Sequence, residues 1–134
     1  MAQRSSSEGS FKVGTNFMEP YITGTIDIEK VAPTEDTTPI GATVAKESFT
    51  GVTQLSDVSA DGPYDDTATT GPDAIFGAVG TTATVIVGYV GGQSPTKKTT
   101  MTLGFKSYKR TIAKGALTHF TSVMGNQGTT IVEA

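Results

Sequence analysis

Cysteine and tryptophan are both missing from this chain, and histidine occurs once, as His119. Without thiols there is no disulfide framework, no thiolate metal site and no sulfur nucleophile. A lone imidazole also excludes a multi-histidine metal centre. Leucine is scarce, with three residues, Leu55, Leu103 and Leu117. The longest nearly apolar run, residues 83–90, falls far short of the ~20 residues that a bilayer-spanning helix needs. The first ten residues are polar and lack the apolar stretch of a secretory signal. These absences point to a soluble, intracellular-type chain in which most enzyme chemistries are improbable.

What abounds is threonine, 24 residues, and glycine, 16, in a chain of 134. β-Branched threonine suits a pleated, half-buried surface and loses rotamer freedom in a helix, while glycine and proline supply turns. The length fits one domain, able to bury about two-thirds of the unfolded surface. The expectation is an all-β domain with substantial loops.

Charge divides along the chain. Residues 1–90 hold 12 acids and four bases, a net of −8, whereas residues 91–134 hold one acid and six bases, a net of +5. One reading is two solvated loop regions of opposite sign. The sharper one is a polar subunit whose acidic surface meets a neighbour's basic surface, since complementary fields fix register and orientation. Head-to-tail contacts of that kind build rings or open filaments. Tight DNA binding fits poorly, because the bases are spread over residues 97–114 of an acidic chain with few aromatics beside them.

Residues 1–20 are Ser-rich with scattered Phe11, Val13, Phe17 and Met18, and read as a flexible segment or an arm that orders against a partner. Residues 21–134 read as a single β-sandwich domain. Residues 21–31 alternate, with Ile22, Gly24, Ile26 and Ile28 on one face and Thr23, Thr25, Asp27 and Glu29 on the other, which predicts a strand with one wet face. Residues 32–42 read as an exposed loop, with a short strand at 43–46. A second long strand is expected over 48–60, followed by turn chemistry at Asp61-Gly62-Pro63-Tyr64-Asp65-Asp66. Residues 71–80 predict one short helix, with Thr70 or Gly71 as N-cap, Pro72 at its first position and Gly80 ending it. Strands follow at 82–90 and 98–110, the latter with Met101, Leu103 and Phe105 inward and Thr100, Thr102, Lys106 and Tyr108 outward. Two closing strands are expected at 116–124 and 128–133. The fold class is therefore all-β, sandwich or barrel-like, with one short flanking helix.

Chemical motifs are few. His119 lies in strand-like sequence, and its ordinary reading is a surface or interface side chain, since neither a nucleophile nor an orienting acid is placed beside it. The segment Gly91-Gly92-Gln93-Ser94-Pro95-Thr96-Lys97-Lys98-Thr99 is superficially like a phosphate-binding loop. It lacks the second glycine before the lysine, carries a proline and leads into a strand. Asp57, Asp61, Asp65 and Asp66 offer oxygen ligands for a hard cation, but their spacing fits no known cation loop and acidic turns are common. No catalytic residue, metal or cofactor is expected, and the chain reads as a non-enzyme.

The most idiosyncratic stretches are Gly62-Pro63-Tyr64-Asp65-Asp66-Thr67, preceded by Leu55-Ser56-Asp57, and Ser107-Tyr108-Lys109-Arg110. Taken alone, each is turn chemistry or a strand edge. In this order, and with a glycine-split last strand pair over 120–131, they make the chain resemble the small tail tube (major tail) proteins of long-tailed bacteriophages over roughly residues 20–134. Residues 32–50 follow that family's pattern poorly.

The resemblance implies a tail-tube-like β-sandwich with a flanking helix, assembled as hexameric rings whose strands join into a continuous inner barrel without free edges. Stacked rings would form a hollow conduit for viral DNA, and a negative lumen would repel phosphates instead of binding them. Asp27 and Glu29 are the implied lumen residues. Phe11 and Phe17 in the arm, Glu35 and Asp36 in the first loop, and Lys97 and Lys98 in the basic loop are the implied inter-subunit contacts. The implied partners are further copies of the chain and other tail proteins, with no membrane binding; the implied place is the virion tail, assembled in the host cytoplasm. Two readings stay open beside it. One is a capsid decoration (cement) or head–tail connector protein, for which residues 1–20 would serve as the arm. The other is a β-sandwich ligand-binding module, which ten aromatics without tryptophan serve poorly.

Overall fold

Period-two alternation is strongest over residues 82–105, and in the computed structural model, which describes residues 5–133, this stretch forms the centre of the sheet. Strand β8 (Thr82–Val90) pairs antiparallel with the long strand β9 (Lys97–Thr111), from Thr82 opposite Gly104 to Val90 opposite Lys97. Val85, Val87, Met101, Leu103 and Phe105 all face inward and are buried. Around this pair the described residues add β1 (Ser10–Val13), β2 (Asn16–Phe17), β7 (Val58–Pro63) and β10 (His119–Asn126), in the order β2-β1-β8-β9-β10-β7, with β11 (Val132–Glu133) beside the start of β9. The expected all-β class with one short helix holds, and the sheet curls as an antiparallel half-barrel.

The helix α1 (Pro72–Phe76) fills the concave side. Gly71 is its N-cap and Pro72 opens it, where the missing N–H costs nothing. It closes at Gly77, three residues before the expected Gly80. Its last residue, Phe76, is fully buried, with ring centroids 6.5, 6.0 and 5.6 Å from Phe11, Phe105 and Phe120. Three strands and the helix therefore converge on one aromatic cluster. The described residues contain no helix long and apolar enough to cross a membrane.

Several sequence expectations are corrected. Residues 10–17, read as part of a separate arm, are strands of the main sheet, and Phe11 pairs across to Val87. Residues 1–4 of that arm lie outside the described residues. The strand expected at 21–31 shrinks to β3 (Lys30–Val31), which pairs with β6 (Gln54–Leu55). A 3-10 turn occupies Glu19–Tyr21, and residues 22–29 have no ladder, although their alternation survives as burial: Ile22, Ile26 and Ile28 are half-buried against the core while Asp27 and Glu29 are exposed. Backbone bonds fasten the segment only at points, with Thr23 and Gly24 both donating to the Asp61 carbonyl at 3.1 and 3.3 Å.

The strand expected over 48–60 is broken into β5 (Glu47–Phe49), β6 and β7, with Gly51 at φ 88° between the first two. Strand β5 pairs with β4 (Thr34–Asp36) in a two-stranded ladder, so residues 43–46, expected as a short strand, lie in the loop of an exposed hairpin, and a strand falls at 34–36 where a loop was expected. The turn expected at Asp61 begins later, since Asp61–Pro63 still pair with β10. Pro63 is tolerated there because β7 is an edge strand. The closing strands fall at 119–126 and 132–133, shifted from 116–124 and shortened from 128–133.

One correction has a single-residue cause. Val123 pairs with Ser107 but Met124 pairs with Phe105, leaving Lys106 as an extra residue in β9. This β-bulge reverses the strand's face assignment from there on. Tyr108, expected outward, consequently stacks on Phe120 at 6.0 Å and packs against the core.

Candidate assembly surfaces

The two idiosyncratic stretches meet in space. The bulge turns Tyr108 and Arg110 toward the helix, where Asp73 occupies its first turn. One carboxylate oxygen, Asp73 Oδ1, accepts from Tyr108 Oη at 3.0 Å, Arg110 Nε at 2.9 Å and Arg110 Nη2 at 2.7 Å. The guanidinium also lies 5.2 Å from the Tyr108 ring and 5.9 Å from the Tyr64 ring. Hydrogen bonding from Arg110 holds the Asp73 carboxyl below its ordinary value. Burial first, and then the Asp73 hydrogen bond, push the Tyr108 hydroxyl up to about 12.

An acid committed to three donors is a poor proton acceptor, so this cluster is a clamp between helix and sheet and not a catalytic group. Sequence reading flagged Tyr64, Tyr108 and Arg110 but passed over Asp73; its signal was an acid directly after Gly-Pro in the helix.

The clamp gives a pH-dependent stability. A tyrosine raised in the folded state contributes stability that is complete below its unfolded value near pH 10 and is lost as pH rises toward 12. Asp73, held low, works in the opposite direction, its contribution present above about pH 4 and lost as pH falls further. Denaturant unfolding at several pH values is expected to show wild-type stability falling between pH 10 and 12 more steeply than that of Tyr108→Phe. Near neutrality the variant should lose about 1 kcal/mol, the worth of one hydrogen bond. Parallel alkaline slopes would contradict the assignment.

The remaining candidates scatter over the surface, with one exception. Phe11 is buried in the chain's own core, so it offers no side chain to a neighbour. Phe17 lies on the edge strand β2, half-buried beneath the Lys12 ammonium at 5.3 Å. Glu35 and Asp36 are exposed on β4, and Asp36 caps the Thr38 N–H at 2.9 Å. Lys97 is exposed at the start of β9; Lys98 beside it is half-buried and shares a groove of about 340 Å³ with Lys12, Phe17 and Pro95. Asp27 and Glu29 point to solvent, Glu29 accepting from Ser56 Oγ at 2.8 Å.

Segment 91–96 joins two strands and no helix, which removes the geometry of a phosphate-binding loop. His119 is exposed, its Nδ1 2.7 Å from the Leu117 carbonyl. Asp57 is ion-paired with Lys106 at 2.8 Å, and among the described residues no three His, Asp or Glu side chains converge.

Sequence reading missed the clustering of exposed apolar side chains. Ile40, Val44, Phe49 and Val52 lie on or beside the β4–β5 hairpin, and Ile112 and Leu117 lie where β9 turns into β10. Phe49 is 77% exposed and Leu117 71%. Large apolar side chains left this exposed on two turns are candidates for contact surfaces.

No family model and no curated protein sequence matches this chain. Solved structures do. A chain from the virion of a native gene transfer agent particle superposes with a TM-score of 0.72 at 16% identity, covering 99% of both chains. A chain from the tail of the empty gene transfer agent particle, refined helically with C6 symmetry, gives 0.68 at 16% identity, again over 99% of both. A chain of the six-fold symmetrised anti-feeding prophage baseplate gives 0.66 at 11% identity, over 98% of this chain and 97% of that one. The chain therefore shares the fold of these phage-tail-like components over nearly all of the described residues.

Proposed function

We propose that this chain is a structural, non-enzymatic tail tube subunit that stacks as hexameric rings into a hollow conduit for viral DNA, within the tail of a virion assembled in the host cytoplasm. The observation that carries the reading is the end-to-end fold match to a chain of a C6-symmetric tail. The strand edge at β2, and apolar side chains uncovered on the hairpin, give further support, because both call for neighbouring copies. Phe17, Glu35, Asp36, Lys97 and Lys98 are the proposed inter-subunit contacts. Asp27 and Glu29 are the proposed lumen residues, where like charge would keep the DNA backbone moving without binding it. Other tail proteins would cap the stack.

Expressed alone, the chain is expected to give rings of six or hollow tubes by size exclusion with light scattering and negative-stain electron microscopy. Stable trimers, or attachment to empty capsids, would overturn the reading in favour of capsid decoration. So would a monomer that fails to polymerise when a tail-tip complex is added. A density map of the tube that places Asp27 and Glu29 on the outer wall would remove the lumen assignment alone.

A further inference from the structure

We infer that the turn joining β9 to β10, built around Ile112, Lys114 and Leu117, receives the β4–β5 hairpin of a second copy of this chain. The inference takes its setting from the tube reading, but it follows from where the two features sit. Strand register shows that they belong to opposite ends of one strand pair. The hairpin leaves the body through β6, three residues before Val58, and Val58 pairs with Met124 near the end of β10. The β9–β10 turn lies at the other end, where Pro63 pairs with His119. About 20 Å of strand separates the two ends. Within one copy the strands of the hairpin pack mainly on each other.

The two surfaces match in charge and in apolar content. The hairpin carries Glu35, Asp36 and Glu47 against Lys46 alone, with Ile40, Val44 and Phe49 exposed. The turn and its flanks, residues 109–119, carry Lys109, Arg110 and Lys114 and no acid, with Ile112 and Leu117 exposed. Arg110 is committed to Asp73, whereas among the described residues Lys109 and Lys114 have no carboxylate partner. The hairpin's Glu35 and Glu47 likewise have no cation partner there. Each surface therefore presents apolar side chains beside unpaired charge mostly of one sign, acidic on the hairpin and basic on the turn, the arrangement in which opposite fields select partner and register.

Surfaces that are complementary but lie at opposite ends cannot close on each other around a two-fold axis. They join copies head to tail and leave a free surface of each kind at the ends, so the contact propagates.

The absence of native cysteine allows a direct test. Val44→Cys and Leu117→Cys, both at exposed positions, are purified separately, mixed, allowed to assemble and mildly oxidised. A disulfide-linked dimer is expected in the mixture and not in either variant alone. Lys114→Glu in the Leu117→Cys copy should lower the yield several-fold, and Glu47→Lys in the other copy should restore it. Tubes or rings that form without the mixed dimer would overturn the pairing and leave the tube reading standing. Mixed dimers in assemblies without six-fold symmetry would support the pairing and count against the tube. Absence of both assembly and dimer would overturn both.

Discussion

Replacing Phe76 with alanine is expected to lower the unfolding free energy by about 3–5 kcal/mol, the range for deleting a large buried aromatic. Phe76 sits at the centre of the sheet's aromatic cluster, with Phe11, Phe105 and Phe120 all within 6.5 Å of its ring centroid. Truncation leaves a cavity bounded by three rigid strands, which cannot collapse to fill it. The helix has only five residues, too few to persist without that anchor. The loss should therefore appear twice, as a lower urea midpoint and as faster amide exchange across residues 73–77. A midpoint shift corresponding to less than about 1 kcal/mol would show that the helix is held elsewhere, by the Asp73 clamp.

Gly62→Ala is the second large effect. Gly62 lies in β7 opposite Phe120, and a methyl group there would run into the main-chain carbonyl oxygen of Tyr21. That carbonyl belongs to the 3-10 turn that crosses the edge strand, and the backbone bonds from Thr23 and Gly24 to Asp61 hold the crossing close. Because the obstacle is backbone, one of the two chains must move, at about 1–3 kcal/mol. Gly24→Ala makes a sharp comparison. Its added methyl group would meet the Asp61 side chain, which can swing aside, so the cost should be clearly smaller. Urea unfolding of the two variants side by side checks this order, and equal losses would contradict it.

These outcomes separate what a linear pattern reports from what it omits. Strands β8 and β9 were legible because their apolar residues alternate over long runs and both are paired, so periodicity and burial coincide. The helix was legible from Gly71-Pro72 and the apolar residues that follow. Residues 21–31 alternate equally well, yet most of them have no ladder. Alternation reports which side chains are covered, and here the covering comes from packing on the core without a neighbouring strand.

Four apolar residues in a 20-residue stretch were too few to show that Phe11 belongs to a sheet strand. The β4–β5 hairpin carries polar residues on both faces and so has no period to read. The Asp73 clamp needed a helix, an edge strand and a bulged strand to meet, and no spacing in one dimension encodes that. The resemblance drawn from the stretches around Tyr64 and Tyr108-Lys109-Arg110 nonetheless pointed to three of its members and to the fold that the solved structures share.

The extra residue at Lys106 bears on how this chain can change over evolutionary time. Deleting any one residue between the bulge and Arg110 would send Tyr108 or Arg110 to the opposite face and dissolve the helix clamp in a single step. Adding residues to the tip of the hairpin at 37–46 would cost little, since doubling a loop's length adds only about 0.6 kcal/mol of closure entropy. Relatives of this chain should therefore keep a constant length through 97–111 and vary in length at the hairpin tip. Diversification would then be concentrated on the surface proposed to meet other copies, while the scaffold behind it stays in register.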